Sequence, residues 1–302
     1  MLYLLPRKYA GGLSLASDGV ENRARVWLSG RTPMKPLPLL SRIVLLASVV
    51  VTAGFAETGR WPNGATAAVS LSYDDSLPVH HLHVAPLLER YGLRATFYLS
   101  MWNLSDPEAW KAVAAKGHEL GNHSLFHPCR RTPANASWLS ADYDLATYSP
   151  KRFRDELALA NHMLDLLDGG KPRTYGNNCT DLTIGRGDEE KPMDPILAEL
   201  FVAARGNITN RPVDLARPVF TRLGHYSGDG KTFAQLRAEI EAARAQGGWI
   251  IYMFHGVGPG THNLFVADEE HRQLLEWLAQ ERATLWTAPV VEVAQYLKAA
   301  GK

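Results

Sequence analysis

From Glu57 onward the chain predicts an α/β fold, a parallel sheet wrapped by helices, on three observations. Apolar β-like runs near 67–73, 95–100, 117–121, 172–177, 199–204, 249–254 and 283–287 alternate with helical stretches near 79–91, 107–116, 151–168, 232–246, 268–282 and 289–299. The 246 residues of this stretch suit one α/β barrel. Acidic or imidazole side chains follow three of the runs, in LSYDDS (71–76), GNHSLFHP (121–128) and WIIYMFHG (249–256). Strand ends are where such a fold exposes catalytic groups to substrate.

The elements follow in order. Ala67 to Leu71 alternates small and branched residues as a buried strand does, and runs into Tyr73, Asp74 and Asp75 before Pro78 breaks it. The amphipathic run from Val79 to Tyr91 predicts the first helix, which Asp75 or Ser76 could equally well cap. His80, His81 and His83 lie on it at spacings that do not share one face, so a packing or solvated role outweighs a second metal site. His118, on the strand near 117–121, reads as a buried structural histidine. The stretch 205–231, with Pro212, Pro218 and several glycines, reads as irregular. Trp249 to Phe254 is a continuous apolar run, too short to cross a membrane and right for a central strand. For Trp61, Trp102, Trp110 and Trp138, packing and sugar stacking are equally open.

The region ahead of this domain reads as an export leader. Lys35 and Arg42 form a basic segment, Ile43 to Thr52 an apolar one, and Ala53 to Ala56 a small-residue cleavage site, so residues 34–56 are expected to be a signal peptide. Residues 1–33 show no sustained periodicity and are expected to be an over-extended translation or a disordered tail. The expected domain is therefore 57–302, in a secreted or periplasmic protein with no stable membrane span after cleavage. From Glu57, 25 Lys and Arg stand against 29 Asp and Glu. That balance gives no reason to expect a nucleic-acid partner.

The three strand ends carry the chemistry. Adjacent carboxylates at Asp74 and Asp75 repel each other unless a cation or a proton relieves them. His123 and His127 are four residues apart, which a helical turn or a suitably folded loop would bring together. One aspartate with this pair makes a three-ligand set with room for water, the composition of a catalytic zinc site. His255 closes the last buried strand and reads as a general acid.

These residues resemble the polysaccharide deacetylases, carbohydrate esterase family 4 with its NodB homology domain. SYDD is similar to the family's first motif, NHSLFH to its His-x-x-x-His metal motif, and MFH to its Leu-x-His segment. RATFYLS (94–100), GHELGNH (117–123) and LWTAPVVEVAQYL (285–297) share the family's flanking texture, and the resemblance runs from about Trp61 to Lys298. It implies a distorted parallel (β/α) barrel of about seven strands, with Asp74 as general base, Asp75, His123 and His127 as ligands of one divalent metal, expected to be zinc, and His255 as general acid. The implied activity is hydrolytic removal of acetyl groups from an N- or O-acetylated carbohydrate, by water that the metal activates. The rival is a catalytically silent carbohydrate-binding relative.

Two departures qualify that resemblance. The family's third motif reads Arg-Pro-Pro-Tyr or a Tyr-Pro-Cys variant, whereas this chain has PRTYGNNCTD (172–181), so Arg173 is the candidate for orienting Asp74, with Tyr175 and Asn177 beside it. No Asp-Trp pair lies between Cys179 and His255, which leaves Asp214 and Asp181 as candidates for orienting His255. Met253 replaces the usual leucine with similar volume and is expected to line the acetyl pocket. In the oxidising compartment that the leader implies, the only two cysteines, Cys129 and Cys179, are expected to bridge. The rival readings make Cys129 a soft metal ligand or leave both as buried thiols.

Overall fold

The computed structural model describes residues 61–301, so the expected leader at 34–56 and the stretch 1–33 lie outside the described residues. Seven parallel strands form a closed ring: β1 (Ala67–Asp74), β2 (Thr96–Leu99), β3 (Glu119–Asn122), β4 (Tyr175–Gly176), β5 (Ala204–Ile208), β6 (Leu223–Ser227) and β7 (Trp249–Phe254). Each pairs with the next, and β7 closes onto β1 through six residue pairs from Ala68–Trp249 to Tyr73–Phe254. An eighth strand, β8 (Leu285–Thr287), pairs with Ala67–Val69, while β2 pairs with Ser72–Asp74. A strand has only two edges and β7 occupies one, so β8 and β2 share the other. The ring is therefore spread by β8 at its N-terminal end and tight at its C-terminal end, where Asp74 emerges. This is the barrel of about seven strands that the sequence implied.

Among the described residues, seven α-helices accompany the strands: α1 (Ala85–Arg90), α2 (Pro107–Ala115), α3 (Pro150–Asp168), α4 (Asp194–Leu200), α5 (Phe233–Ala245), α6 (Asp268–Gln280) and α7 (Val290–Ala299). Their starts are chemically marked. Asp106 accepts from the Ala109 N–H, Ser149 from the Arg152 N–H, and Thr232 forms a reciprocal capping box with Gln235.

Strand alternation explains both the core and the site. On β1, Ala67, Val69, Leu71 and Tyr73 face outward into the main hydrophobic cluster beneath the helices, with Phe97, Leu99, Ile250, Tyr252 and Phe254 from neighbouring strands. The intervening Ser70, Ser72 and Asp74 are buried and polar, and point into the barrel. There the Trp249 indole N–H donates to Ser70 Oγ, and Arg205 donates to Ser72 Oγ and to Asp74. The Tyr98 ring fills the centre of the barrel. A Cβ on Gly121 or Gly176 would stand 2.5 Å from that ring, so both positions require glycine.

Two expected elements are corrected here. The stretch 199–204, read as a strand, is the end of α4 and the approach to β5, and 205–231, read as irregular, holds most of β5 and all of β6. Inward-facing Arg205 and His225, with glycines beside them, interrupt any apolar run in those strands. The first helix also differs, since His80–Val84 forms a π-helical turn ahead of α1. Trp61 and Trp110 are buried core residues.

Buried neutral histidines give the fold an acid limit. Burial pushes His271 down from 6.5 to about 3, and its Nε2 lies 2.7 Å from the Tyr73 hydroxyl. Burial, with Arg94 adding to it, pushes His118 down to about 4, where its Nδ1 accepts from the Ala95 N–H. Unfolding lets both rings take up protons below their ordinary value, so their contribution is complete above about pH 6.5 and is lost as pH falls toward about 4. Urea midpoints measured from pH 7.5 down to about 4.5 are expected to fall across this window. A flat profile would contradict that account.

Candidate active site

The C-terminal mouth of the barrel gathers the three sequence motifs into one cavity of about 750 Å³. Asp74 is the last residue of β1. The next two residues, Asp75 and Ser76, adopt positive φ of 78° and 54°, which ends the strand and turns the Asp75 side chain back over the barrel mouth. The Ser76 hydroxyl donates to the Ser100 carbonyl, and the Asn103 amide donates to the Asp75 carbonyl. These contacts fix the turn from the β2 side.

His123 follows β3 directly, and a loop brings His127 to it in place of a helical turn. Asn122 Oδ1 accepts from the Ser124 N–H, Ser124 Oγ accepts from the His127 N–H, and Ser124 and His127 take positive φ of 68° and 52°. The two imidazole centroids lie 4.9 Å apart. His123 Nδ1 stands 2.7 Å from the Gly176 carbonyl, which can only accept, so Nδ1 carries the proton and Nε2 presents its lone pair to the cavity.

Asp75 Oδ1 lies 3.3 Å from both His123 Nε2 and His127 Nε2, and it is buried with no hydrogen-bond partner among the described residues. A buried, unpaired carboxylate oxygen facing imidazole nitrogens is costly by itself. A cation relieves it, and the three donor atoms lie within 4.8 Å of one another. The donor set therefore fits a divalent metal. Burial pulls the Asp75 carboxyl upward, and without a metal only protonated His123 and His127 would hold it below the usual carboxylate value.

A carboxylate and an imidazole flank this triad, each held by a buried partner. Arg205, fully buried on β5, grips Asp74 through both guanidinium nitrogens, Nη1 at 2.9 Å from Oδ1 and Nη2 against Oδ2, and lies over the Tyr98 ring. Burial pulls the Asp74 carboxyl upward, but Arg205, with His123 and His255, lowers it overall. Asp229, two residues after β6, accepts from the His255 N–H through Oδ1 and holds His255 Nδ1 at 2.6 Å through Oδ2. Burial draws the His255 ring downward, yet the Asp229 hydrogen bond and the charges of Asp74, Asp229 and Asp75 raise it to about 9. Its Nε2 faces Asp75 Oδ2 at 4.0 Å.

Other expected site residues divide. Asn177 and Met253 line the cavity. Arg173 does not orient Asp74: it pairs with Asp165 and Asp168 on the outer side of the barrel. Asp214 caps a turn through the Ala216 N–H, and Asp181 accepts from the Arg130 N–H, so neither orients His255. Tyr175 faces outward into a satellite core with Phe153 and Phe201, its hydroxyl donating to Asn178. Cys129 and Cys179 are joined by a disulfide with Cα atoms 5.7 Å apart, which excludes Cys129 as a free thiolate ligand in this state. Arg205 and Asp229 take the orienting places that sequence reasoning gave to others. It also missed His262, whose ring stacks on His255 at 5.1 Å and whose Nε2 lies 4.0 Å from Asp75 Oδ2. Its signal was only a lone histidine in a glycine-rich loop.

Comparison with known proteins places these observations. Residues 62–177 match the polysaccharide deacetylase family. A solved protein from Mycobacterium smegmatis, described as a polysaccharide deacetylase, shares the fold with a TM-score of 0.57 at 18% identity, over 80% of this chain and 93% of its own. A gellan lyase from a Bacillus species is 23% identical over 266 residues, 80% of this chain and 10% of its own length. The protein YlxY of Bacillus subtilis is 28% identical over 91 residues, 30% of this chain and 24% of its own. The chain thus spans about a tenth and about a quarter of these two relatives. The resemblance read from the sequence motifs is borne out, and the segment 62–177 is of the polysaccharide deacetylase family.

Proposed function

We propose that this protein is a hydrolase that removes acetyl groups from an acetylated carbohydrate, with a divalent metal, zinc by its ligand chemistry, held by Asp75, His123 and His127. The observation that carries this reading is the buried, unpartnered Asp75 oxygen between two imidazole nitrogens, flanked by an arginine-held carboxylate and an aspartate-held imidazole. Two imidazoles with one carboxylate favour zinc over harder ions. When bound there, such an ion supplies positive charge that polarises an acyl oxygen and acidifies water.

The side chains do the rest. Asp74, kept ionised by Arg205, accepts the proton of the attacking water. His255, kept protonated by Asp229, gives a proton from Nε2 to the departing sugar nitrogen or oxygen. Asp229 also fixes the imidazole tautomer and orientation by its contact with Nδ1. Met253 and Leu77 offer the acetyl methyl an apolar wall. A silent binding relative has no need of both buried pairs, and their presence favours catalysis.

Export to an oxidising compartment belongs to the same reading, supported by the Cys129–Cys179 disulfide. Among the described residues no helix is long and apolar enough to cross a membrane. Elemental analysis of protein purified without chelator is expected to find about one divalent ion per chain, and His123→Ala or Asp75→Ala to abolish it. Failure of the wild type to take up any divalent metal on reconstitution would overturn the ligand assignment.

A further inference from the structure

His255, the proton donor of the proposed reaction, is restrained in its main chain and at one ring edge. Asp229 takes its N–H through Oδ1 and its Nδ1 through Oδ2, and His80 Nε2 donates to its carbonyl oxygen at 2.8 Å. These contacts leave Nε2, the nitrogen that faces the cavity, unheld. A ring fixed at one edge can still swing the other, and donation needs Nε2 placed to within about 0.5 Å.

His262 supplies the missing restraint. Its ring lies offset-stacked on that of His255, with centroids 5.1 Å apart and planes 15° from parallel. The two rings point the same way, since Nε2 of each stands 4.0 Å from Asp75 Oδ2. The loop that carries His262 is fastened at several points. Gly256 and Val257, directly after His255, pair in parallel with Phe265 and Val266. The Thr261 hydroxyl donates to the Gly258 carbonyl at 2.7 Å, and His262 Nδ1 stands 3.1 Å from both the N–H and the carbonyl of Leu264. The Gly230 N–H donates to the Phe265 carbonyl at 2.8 Å, so the same loop grips the turn that carries Asp229. Asp229, His255 and His262 are thereby tied into one unit.

Two other roles fit His262 less well. A core histidine would be buried, whereas this side chain is 30% exposed on the cavity wall. A metal ligand would converge with the donor atoms of Asp75, His123 and His127, yet His262 belongs to neither group of three donor atoms that lie within 4.8 Å of one another among the described residues. Its ring contact is with His255.

We propose that His262 is a positioning residue for the reaction: by lying against the face of the His255 imidazole, it holds Nε2 aimed at the departing sugar nitrogen or oxygen. This deepens the activity proposed above and rests on it for the role of His255. Two measurements on the zinc-loaded full chain test it, acetate release from chitin oligomers, peptidoglycan and acetylated xylan, and carbon-13 relaxation of the His255 ring. His262→Ala is expected to lower kcat by about tenfold while KM changes less than about threefold, the pattern of a misaimed donor, and to make the His255 ring more mobile than in the wild type. His262→Phe keeps a ring against His255 and is expected to restore most of the turnover and of the ring order. His262→Gln keeps an N–H donor at similar reach without the ring, and is expected to behave as the alanine variant does. Wild-type turnover and an unchanged His255 ring in His262→Ala would overturn the proposal. So would rescue by glutamine and not by phenylalanine, which would make His262 a donor to the substrate, or loss of the metal in His262→Ala, which would make it a ligand. If the alanine variant does not fold, the contrast between phenylalanine and glutamine decides by the same criteria. No acetate from any substrate with the wild type would refute the proposed activity, and the His255 ring order in the variants would still decide the positioning role.

Discussion

An Arg205→Met variant is expected to lose about 3–5 kcal/mol of stability, because it strands the Asp74 carboxylate in the barrel interior without its counter-ion. Arg205 is fully buried and Asp74 is 2% exposed, so the carboxylate loses its guanidinium partner where bulk solvent has little access. Arg205 also donates to Ser72 Oγ and lies over Tyr98, so the substitution removes three contacts from the floor of the site. The double variant Arg205→Met with Asp74→Asn removes both charges and is expected to regain part of the loss. Chemical denaturation of the four proteins of this cycle measures the coupling. A single variant that unfolds at the wild-type midpoint would contradict the role given to this pair.

The second large effect is on turnover. Asp74→Asn and His255→Ala are each expected to lose about 10²-fold or more in acetate release while retaining metal, since neither side chain belongs to the metal-binding set. Asp229→Asn is expected to act through His255. It removes one of the charges that, with Asp74 and Asp75, raise the imidazole to about 9, so the decline of activity at high pH should begin at lower pH. A protonated general acid is needed, so activity falls as pH rises through the His255 value, and a lower value brings that fall toward neutrality. Near-normal turnover in Asp74→Asn or His255→Ala would reject the role assigned to that residue, and an unmoved alkaline limb in Asp229→Asn would reject the coupling.

The pattern of what the sequence revealed follows from which way strand residues face. Strand β1 turns its apolar residues outward and ends on two aspartates, and β7 is apolar throughout and ends at His255, so both were legible as strands carrying chemistry. The spacing of His123 and His127 was legible too, but their convergence depends on Ser124 and His127 adopting positive φ, which no residue pattern announces. Strands β5 and β6 were invisible because their inward positions hold Arg205 and His225 in a polar barrel interior, and no apolar run of the expected kind appears. With those strands missed, Arg205 and Asp229 could not be placed at the barrel mouth. Arg173 was credited in place of Arg205 on the strength of its motif position, although its actual partners, Asp165 and Asp168, close α3 against the outer side of the barrel.

One metal held by Asp75, His123 and His127 is proposed to make this barrel a carbohydrate deacetylase. The most direct measurement is acetate released by the purified chain from chitin oligomers, peptidoglycan and acetylated xylan, before and after chelation and after zinc is restored. Release from at least one of these substrates is expected, with a loss of about 10²-fold or more on chelation and recovery with zinc. Release that persists unchanged in the metal-free protein, or none from any substrate by the zinc-loaded protein, would contradict that proposal.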